Sequence, residues 1–285
     1  MSETTLRIYD NSVSIVTGAA SGIGRALAEE LAKRGSEVIL ADRQIALAKM
    51  VADEIRAIGE KAQAHELDVT DFNAVRGLLN NTVKQKGRLD FIFNNAGIQI
   101  VGPARLYSIE DWNRIIDVNL RGVVNGTHAA YQIMLEQGFG HIVNVSSTAG
   151  LMDTPGETAY AMSKFGIVGL SRSLRGEAAL YNIRVSTLCP GIIETALTNG
   201  GKYGKSYADP ERLKEMTKMM PDKLKMDPEE FAPKALDAVA KNKDIIIIPS
   251  WYKILWWIGR LSPAFEGRMT KKNFENISSL LYHDM

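Results

Sequence analysis

The sequence has few of the features that mark secreted or nucleic-acid-binding proteins. It holds one cysteine, Cys189, among 285 residues, which excludes an intramolecular disulfide, and the apolar run around it predicts a small buried thiol. The net charge is +1, from 34 basic and 33 acidic residues without a long block of one sign, so no nucleic-acid partner is expected. The first residues lack the apolar segment of a secretory signal, and we expect a reducing, cytoplasmic setting.

What the sequence does have is an alternation of short apolar runs with longer segments of helical period. The runs are rich in β-branched residues and cover 13–17, 37–41, 89–93, 141–145, 184–188 and 245–248. Such an alternation predicts an α/β fold, in which helices cover both faces of a parallel sheet. Because 45% of the residues are hydrophobic, the chain can bury a large core.

The pattern also predicts how the chain is divided. Residues 1–250 are expected to form one catalytic domain, and residues 251–285 a C-terminal helical extension. Between 196 and 226, glycines and prolines interrupt a segment that still carries tyrosines and methionines. This composition is typical of a mobile lid over a substrate pocket.

A glycine-rich turn with the pattern Gly-x-x-x-Gly-x-Gly occupies residues 18–24, between the first apolar run and an Ala- and Leu-rich helix. Glycines let backbone amides approach a pyrophosphate at the positive end of a helix dipole. An ordinary strand-to-helix connection is the alternative, but the position between this strand and this helix favours dinucleotide binding. The residues assigned to the cofactor here are Gly18, Ser21, Gly22, Ile23 and Gly24.

The choice between NAD and NADP depends on Asp42, at the end of the second apolar run. A carboxylate there accepts hydrogen bonds from the adenosine ribose and repels a 2′-phosphate, which favours NAD. Arg43 follows directly and is able to pair with that phosphate, so NADP stays open. A cap on the next helix is the structural alternative for Asp42.

Tyr160 and Lys164 lie four residues apart and so share one face of a helix. A free phenol titrates near pKa ~10, and a neighbouring ammonium favours the phenolate. Ser147, just after an apolar run, is placed to hold a substrate oxygen. Alone, a Tyr-x-x-x-Lys pair is more often a packed ring beside a solvated amine.

Together with Asn94-Asn95-Ala96-Gly97, Asn119 and Pro190-Gly191, these motifs resemble the single-domain branch of the short-chain dehydrogenase/reductase family over about residues 10 to 250. The resemblance implies a Rossmann-like, doubly wound parallel sheet of about seven strands. It also implies a catalytic tetrad of Asn119, Ser147, Tyr160 and Lys164. A helix kink is the structural alternative for Asn119, and in either case freed carbonyls are able to hold a water that links Lys164 to solvent.

The resemblance further implies which residues contact the cofactor and the substrate. The adenosine side is assigned to Asp68, Val69, Asn95, Ala96 and Gly97, and the nicotinamide end to Tyr160, Lys164, Pro190, Gly191, Ile193 and Thr195. The substrate pocket is assigned to Gln99, Ser147, Leu151, Met152, Tyr203 and Met216. Apolar, methionine-rich walls favour a lipophilic substrate, although methionines on a helix are as often plain packing. No metal site is expected.

The implied function is hydride transfer between a nicotinamide dinucleotide and a secondary alcohol or ketone. Tyr160 is the acid/base, Lys164 lowers its pKa and binds ribose, Ser147 holds the substrate oxygen, and Asn119 supports a proton relay. The alternatives are an NADP-dependent reductase of a carbonyl or 3-oxoacyl thioester and a nucleotide-sensing protein without catalysis. Family members associate through helices that begin near Glu110 and Glu157, so a homodimer or homotetramer is expected.

Residues 251–260 are unusually aromatic and include the basic residues Lys253 and Arg260. This composition is typical of a helix that lies in a membrane interface. The run is too short to span a bilayer. Packing against the core or against a neighbouring subunit is the alternative, and peripheral membrane contact stays open.

Overall fold

A sheet of seven parallel strands forms the centre of the computed structural model, which describes residues 8–197, 203–209, 211, 212, 215, 218, 221 and 224–281. The strands are β1 (Val13–Thr17), β2 (Glu37–Asp42), β3 (Ala62–Glu66), β4 (Phe91–Asn94), β5 (Gly140–Val145), β6 (Ile183–Pro190) and β7 (Ile245–Ile248). Their order across the sheet is β7-β6-β5-β4-β1-β2-β3. The order reverses between β1 and β4, which is where open α/β sheets bind ligands. The predicted doubly wound fold is confirmed.

Helices cover both faces of this sheet. The α-helices in the described residues are α1 (Gly22–Lys33), α2 (Ile45–Ala57), α3 (Phe72–Lys86), α4 (Ile109–Ile115), α5 (Gly122–Gln137), α6 (Thr158–Ala178), α7 (Pro228–Ala240), α8 (Tyr252–Leu261) and α9 (Pro263–Leu281). One buried cluster joins α1, α2 and α7 to one face, and a second joins α3 and α5 to the other. Each fully buried Leu, Ile or Phe in these clusters stabilises the fold by about 1.5–3 kcal/mol.

Strand β3 is the one strand of the sheet that no apolar run predicted. Its sequence, Ala-Gln-Ala-His-Glu, is poor in β-branched residues and is partly exposed. It pairs only with β2 and therefore forms one edge of the sheet. A strand at the edge of a sheet has a neighbouring strand on one side only, so it does not need the continuous apolar pattern of the central strands.

Two short strand pairs hold the described parts of the predicted lid. Residues Gln99–Val101 pair in parallel with Gly204–Ser206, and Ile192–Ile193 pair with Lys225–Met226. The amine of Lys205 also lies 3.0 Å from a carboxylate oxygen of Asp111, at the start of α4. Both ends of the 196–226 segment are thus tied to the main domain, and its mobility stays a prediction.

The C-terminal helices pack against the domain. Tyr252 of α8 covers Gly191 so closely that a Cβ on this glycine would lie 2.2 Å from the ring. Leu255 and Trp256 join a buried cluster that includes Val168 of α6. None of the helices in the described ranges has the length and apolar character needed to cross a membrane.

Candidate active site

The four predicted tetrad residues come from three places at the carboxyl edge of the sheet. Ser147 follows β5, Tyr160 and Lys164 lie in the first turns of α6, and Asn119 lies in a π-helical segment, Ile116–Arg121, between α4 and α5. Tyr160, Lys164 and Asn119 are buried. Because π-helical turns widen a helix locally and are frequent at functional sites, this segment marks the region as a candidate site.

The phenol of Tyr160 shares a hydrogen bond with the side chain of Ser147. Burial raises the pKa of Tyr160 well above its ordinary value, and the negative charge of Glu157 raises this pKa further, while the bond to Ser147 lowers it. Glu157 stands three residues before the phenol, at the N-cap of α6. Its own pKa is raised by burial, and its side chain shares a hydrogen bond with Gln99.

The amine of Lys164 donates a hydrogen bond to the carbonyl oxygen of Val145, at 3.0 Å. It lies 5.3 Å from the centre of the Tyr160 ring. Burial lowers the pKa of Lys164 to about 8, because a desolvated ammonium is costly. The expected lowering of the Tyr160 pKa by Lys164 is not found, since desolvation of the phenol and the charge of Glu157 dominate.

The two serines that follow β5 have different partners. Ser146 is buried and its hydroxyl donates to the backbone carbonyl of Lys164, at 2.9 Å. The Ser147 hydroxyl accepts from the amide of Ala149, at 3.1 Å, in addition to its bond with Tyr160. Ser146 therefore ties β5 to α6, while Ser147 stands beside the phenol.

Asn119 is held in place by both of its amide atoms. Its Oδ1 accepts from the Ile98 amide at 2.8 Å, and its Nδ2 donates to the Ile98 carbonyl at 2.9 Å and to Ser163 Oγ at 3.2 Å. A Cβ on Gly97 would lie 3.4 Å from Asn119 Oδ1 and 3.6 Å from Lys164 Nζ. The missing side chain of this glycine therefore leaves the space between the amide and the amine open.

The glycine turn is tight, and its shape allows a ligand to approach the backbone closely. Gly18 and Gly22 have φ angles of +66° and +53°, which favour glycine, and a Cβ on Gly24 would lie 2.2 Å from the Gly18 carbonyl oxygen. Ser21, the N-cap of α1, makes no side-chain capping bond. The first amides of α1 are thus not used by the cap, and this arrangement fits a dinucleotide pyrophosphate. Ile23 packs under the turn, against the core of that face.

The ends of β1 and β4 are tied together next to this turn. Thr17 Oγ1 accepts from the amides of Asn95 and Ala96, at 2.9 and 3.1 Å. Asn95 Nδ2 donates to the Thr17 carbonyl at 2.9 Å. These bonds fix the start of the Asn95–Ala96–Gly97 segment against the glycine turn.

Asp42 is buried and both of its carboxylate oxygens accept backbone amides. Oδ2 accepts from Ala20 in the glycine turn at 3.0 Å, and Oδ1 accepts from Gln44 at 2.8 Å. Arg43 is exposed, and its charge helps to lower the pKa of Asp68, together with two bonds from Thr70. Asp42 thus supports the turn as well as presenting a carboxylate there.

The remaining predicted cofactor residues lie on both sides of the same edge. Val69 packs on Gly122, where a Cβ would lie 2.7 Å from its side chain. After Pro190, at the end of β6, Ile193 is buried in the core. Thr195 lies against the glycine turn, since a Cβ on Gly22 would be 3.1 Å from its methyl carbon. The chain after β6 thus meets the turn after β1.

The predicted substrate residues are only partly brought together. Gln99 contacts Glu157 beside Tyr160. The phenol of Tyr203 instead accepts from Gln44 Nε2 at 2.8 Å, on the side of α2. The contacts described for Leu151 and Met152 are with the cluster that includes Trp256 of α8. Met216 lies outside the described residues.

Sequence reasoning did not identify several residues that shape the site. Thr17 ends the first apolar run and Ser163 lies between Tyr160 and Lys164, but their bonding partners are distant in sequence. The sequence marks Glu157 only as the start of a helix, although its spacing of three from Tyr160 places the two side chains on one helix face. The bond of Lys164 to the Val145 carbonyl leaves no trace in residue types.

Residues 12–203 match the model of the short chain dehydrogenase family, so the chain belongs to this family. The 3-oxoacyl-(acyl-carrier-protein) reductase FabG of Thermotoga maritima is 38% identical over 66% of this chain and 77% of its own length. A cyclohexanol dehydrogenase of an Acinetobacter species is 37% identical over 66% of this chain and 76% of its own length. A short chain dehydrogenase/reductase of Burkholderia phymatum, solved in complex with NAD, superposes with a TM-score of 0.80 at 26% identity and covers 90% of this chain and 95% of its own. The protein is an NAD(P)-dependent oxidoreductase that acts on a small molecule.

A buried ammonium that serves the site rather than the fold should reduce stability. At pH 7 Lys164 is charged in the folded protein, although burial lowers its pKa from 10.5 to about 8. Keeping this charge buried therefore costs free energy of folding. We therefore expect Lys164→Met to raise the free energy of unfolding in urea at pH 7 by about 2 kcal/mol, after the loss of the bond to Val145. Lys241→Met, at an exposed lysine after α7, serves as the control.

The pH dependence of this stability difference shows whether the charge of Lys164 is its cause. The folded pKa lies below the unfolded one, so wild-type stability rises between pH 8 and 10.5 as the unfolded chain releases this proton. The advantage of Lys164→Met should therefore shrink over that range. A variant that is less stable than wild type by the same amount at both ends would show that the amine holds the fold together.

Proposed function

We propose that this protein interconverts a secondary alcohol and a ketone with NAD as cosubstrate. One observation carries the proposal: a buried phenol, Tyr160, shares a hydrogen bond with Ser147 and lies near the buried amine of Lys164, beside a glycine turn that fits a dinucleotide. The nicotinamide ring, when bound, supplies the hydride acceptor for oxidation or the donor for reduction. The protein supplies position, polarity and the proton path.

In this proposal Tyr160 exchanges the proton of the substrate oxygen. The phenolate takes the hydroxyl proton during oxidation, and the phenol returns it during reduction. Ser147 donates a hydrogen bond to the same oxygen and keeps it next to the phenol. Both side chains are fixed, Ser147 by Ala149 and Tyr160 by its burial on α6, so the geometry is set before the substrate binds.

Lys164 and Asn119 support that exchange. The Lys164 ammonium stands near the phenol and next to the space left by Gly97, where we propose that it also binds the nicotinamide ribose. Asn119 borders the same space and is locked by Ile98 and Ser163. We assign it the support of a proton relay from the amine toward solvent.

NAD is the proposed cofactor, held by the turn of residues 18–24, by residues 68–69 and 95–97 and by residues 190–195. Asp42 is buried at the turn, where its charge opposes a 2′-phosphate. The second candidate is an NADP-dependent reductase of a carbonyl or 3-oxoacyl thioester. It is favoured by the exposed Arg43 beside Asp42 and by the similarity to a 3-oxoacyl reductase.

For the substrate we propose a lipophilic alcohol, with cyclic alcohols as the first class to assay. The similarity to a cyclohexanol dehydrogenase supports this choice. The hydrogen-bonded pair of Gln99 and Glu157 adds a polar group next to the phenol. A ring that carries a second hydroxyl or carbonyl group therefore suits the pocket better than a pure hydrocarbon chain.

We propose that the catalytic domain covers residues 1–250, that the extension covers residues 251–285, and that the protein acts in the cytoplasm as a homodimer or homotetramer. Val124 on α5 and Met162 and Phe165 on α6 are exposed apolar side chains. Gly169, one turn after Phe165, has open space around it. This surface of α5 and α6 suits close contact between two copies.

Replacing the proposed acid/base tests the function directly. Tyr160→Phe removes the phenolic oxygen but keeps the ring, so we expect kcat for alcohol oxidation to fall by about 10²- to 10⁴-fold. Cofactor binding, measured as the rise in Tm that NAD produces, should stay near normal. Tyr181→Phe, at an exposed tyrosine, should keep full turnover. Undiminished turnover in Tyr160→Phe would refute the assignment.

The cofactor preference follows from the charge of Asp42. In Asp42→Asn the amide oxygen still accepts one of the two backbone amides, so the turn keeps part of its support. Loss of the charge should raise the ratio of kcat/KM with NADP to that with NAD by about tenfold or more. Asp53→Asn, at an exposed position of α2, is the control. A ratio that stays constant in Asp42→Asn would contradict this role.

The charge of Glu157 should set the pH dependence of oxidation. A negative charge near Tyr160 raises the phenol pKa, so its removal in Glu157→Gln should lower that pKa. The rising limb of kcat/KM for alcohol oxidation should therefore move to lower pH. Glu177→Gln, at an exposed position of the same helix, should leave the profile in place. Movement of the limb to higher pH in Glu157→Gln would show that the assigned coupling is wrong.

A further inference from the structure

Helix α8 has two apolar faces, and only one of them is packed. Tyr252, Leu255 and Trp256 lie on the domain, together with the close contact of Tyr252 on Gly191. On the outer side, Ile254, Trp257 and Leu261 are 65%, 55% and 81% exposed. One side of this helix therefore packs on the core, and the other side is an exposed apolar surface.

The outer side chains form one continuous face. The positions of Ile254, Trp257, Ile258 and Leu261 follow the i, i+3, i+4, i+7 spacing of a single helical stripe. We call these four residues the α8 outer face. Phe265 and Met269, at the start of α9, are also exposed. Scattered surface apolar residues are normal, but a stripe of this kind on one helix marks an interaction surface.

The C-terminal segment that contains the α8 outer face carries more basic than acidic side chains. Residues 251–281 contain five basic and two acidic side chains, in a chain whose net charge is +1. The basic residues are Lys253, Arg260, Arg268, Lys271 and Lys272, and the acidic ones are Glu266 and Glu275. Glu266 accepts a bond from the Asp153 amide, and Glu275 lies 3.8 Å from the Lys271 amine. The charge that remains is complementary to an anionic surface.

We propose that the α8 outer face inserts into the interfacial region of a membrane that contains anionic lipids. A short helix with Trp, Ile and Leu on one side and Lys and Arg beside them suits the headgroup boundary. The indole of Trp257 is amphipathic and favours that depth. The core of an interface with a second protein is depleted in lysine, whereas anionic head groups attract Lys253 and the basic residues of α9.

Helix α9, which follows α8 in the chain, is anchored on the domain by two contacts. Glu266 Oε1 accepts from the Asp153 amide at 3.3 Å, and the ring of Phe274 lies on Gly156, where a Cβ would be 3.2 Å from it. Residues 153–156 lead directly to Glu157, whose charge acts on Tyr160. A consequence, which rests on the proposed function, is that docking holds residues 153–157 near the bilayer, where lipophilic alcohols concentrate.

Flotation of the full-length protein with lipid vesicles tests the docking. Vesicles of phosphatidylcholine alone are compared with vesicles that also contain phosphatidylglycerol. We expect the protein to float with the anionic vesicles, and added salt should weaken the binding. In the double variant Trp257→Ser/Leu261→Ser the partition coefficient should fall by about 100-fold, because two large apolar side chains are removed from the interface.

Controls separate loss of docking from loss of fold and from self-association. The variant Leu180→Ser/Tyr181→Ser changes two exposed apolar residues that are distant from α8 in the sequence, and it should float like wild type. The α8 double variant should keep wild-type turnover and the Tm shift with NAD, so a failure of the proposed function does not affect the result. A wild-type protein that stays unbound to both kinds of vesicle overturns the proposal. Dissociation of an oligomer by the double variant, without vesicle binding, would show instead that the face contacts a second copy.

Discussion

The site depends on a lysine amine that is held out of water at the carboxyl edge of the sheet. Lys164 can stay there because the Val145 carbonyl accepts a hydrogen bond from its amine. Burial alone lowers its pKa to about 8, so the ammonium is the main form at pH 7 but only by a modest margin. A fold that gained nothing from this charge would be more stable with an apolar side chain in the same position.

The neighbouring polar groups act as one connected support. Asn119 joins the Ile98 backbone to Ser163, and Ser163 in turn donates to the Tyr160 carbonyl at 2.7 Å. The wider turn of the π-helical segment carries Asn119. There its side chain bonds to Ile98, in the segment that follows β4. Ser146 adds a second tie, from β5 to the Lys164 carbonyl. Satisfied buried networks of this kind fix side-chain positions at a cost that apolar packing would avoid.

Much of the fold was predictable because several independent signals agree. The central strands are buried on both faces and therefore read as apolar runs, and the glycine turn marks where β1 passes into α1. The edge strand β3 gave no such run, because one of its sides is free of a neighbouring strand and its residues are partly exposed. Tyr160, Lys164 and Ser147 could be found by spacing, since a helix and a strand end fix their directions.

Pairings between distant segments could not be predicted in the same way. Gln99 and Glu157, or Gln44 and Tyr203, meet only because separate elements pack together, and no local pattern encodes these contacts. The placement of Leu151 and Met152 toward Trp256 has the same origin: the extension offers a competing apolar partner. Composition indicated that the tail is amphipathic, but only the packing of Tyr252 decides which side of α8 faces outward.

The pKa of Tyr160 shows how the opposing effects in this site combine. Desolvation disfavours the phenolate and the ammonium alike, so burial moves both groups toward their neutral forms. Glu157 adds to this for the phenol, and the hydrogen bond from Ser147 opposes it. A proton can then leave Tyr160 readily only when a positive charge and a donor face its oxygen together. Because Lys164 donates to the Val145 carbonyl, the acid/base strength of this site depends on how far the amine can turn toward the phenol.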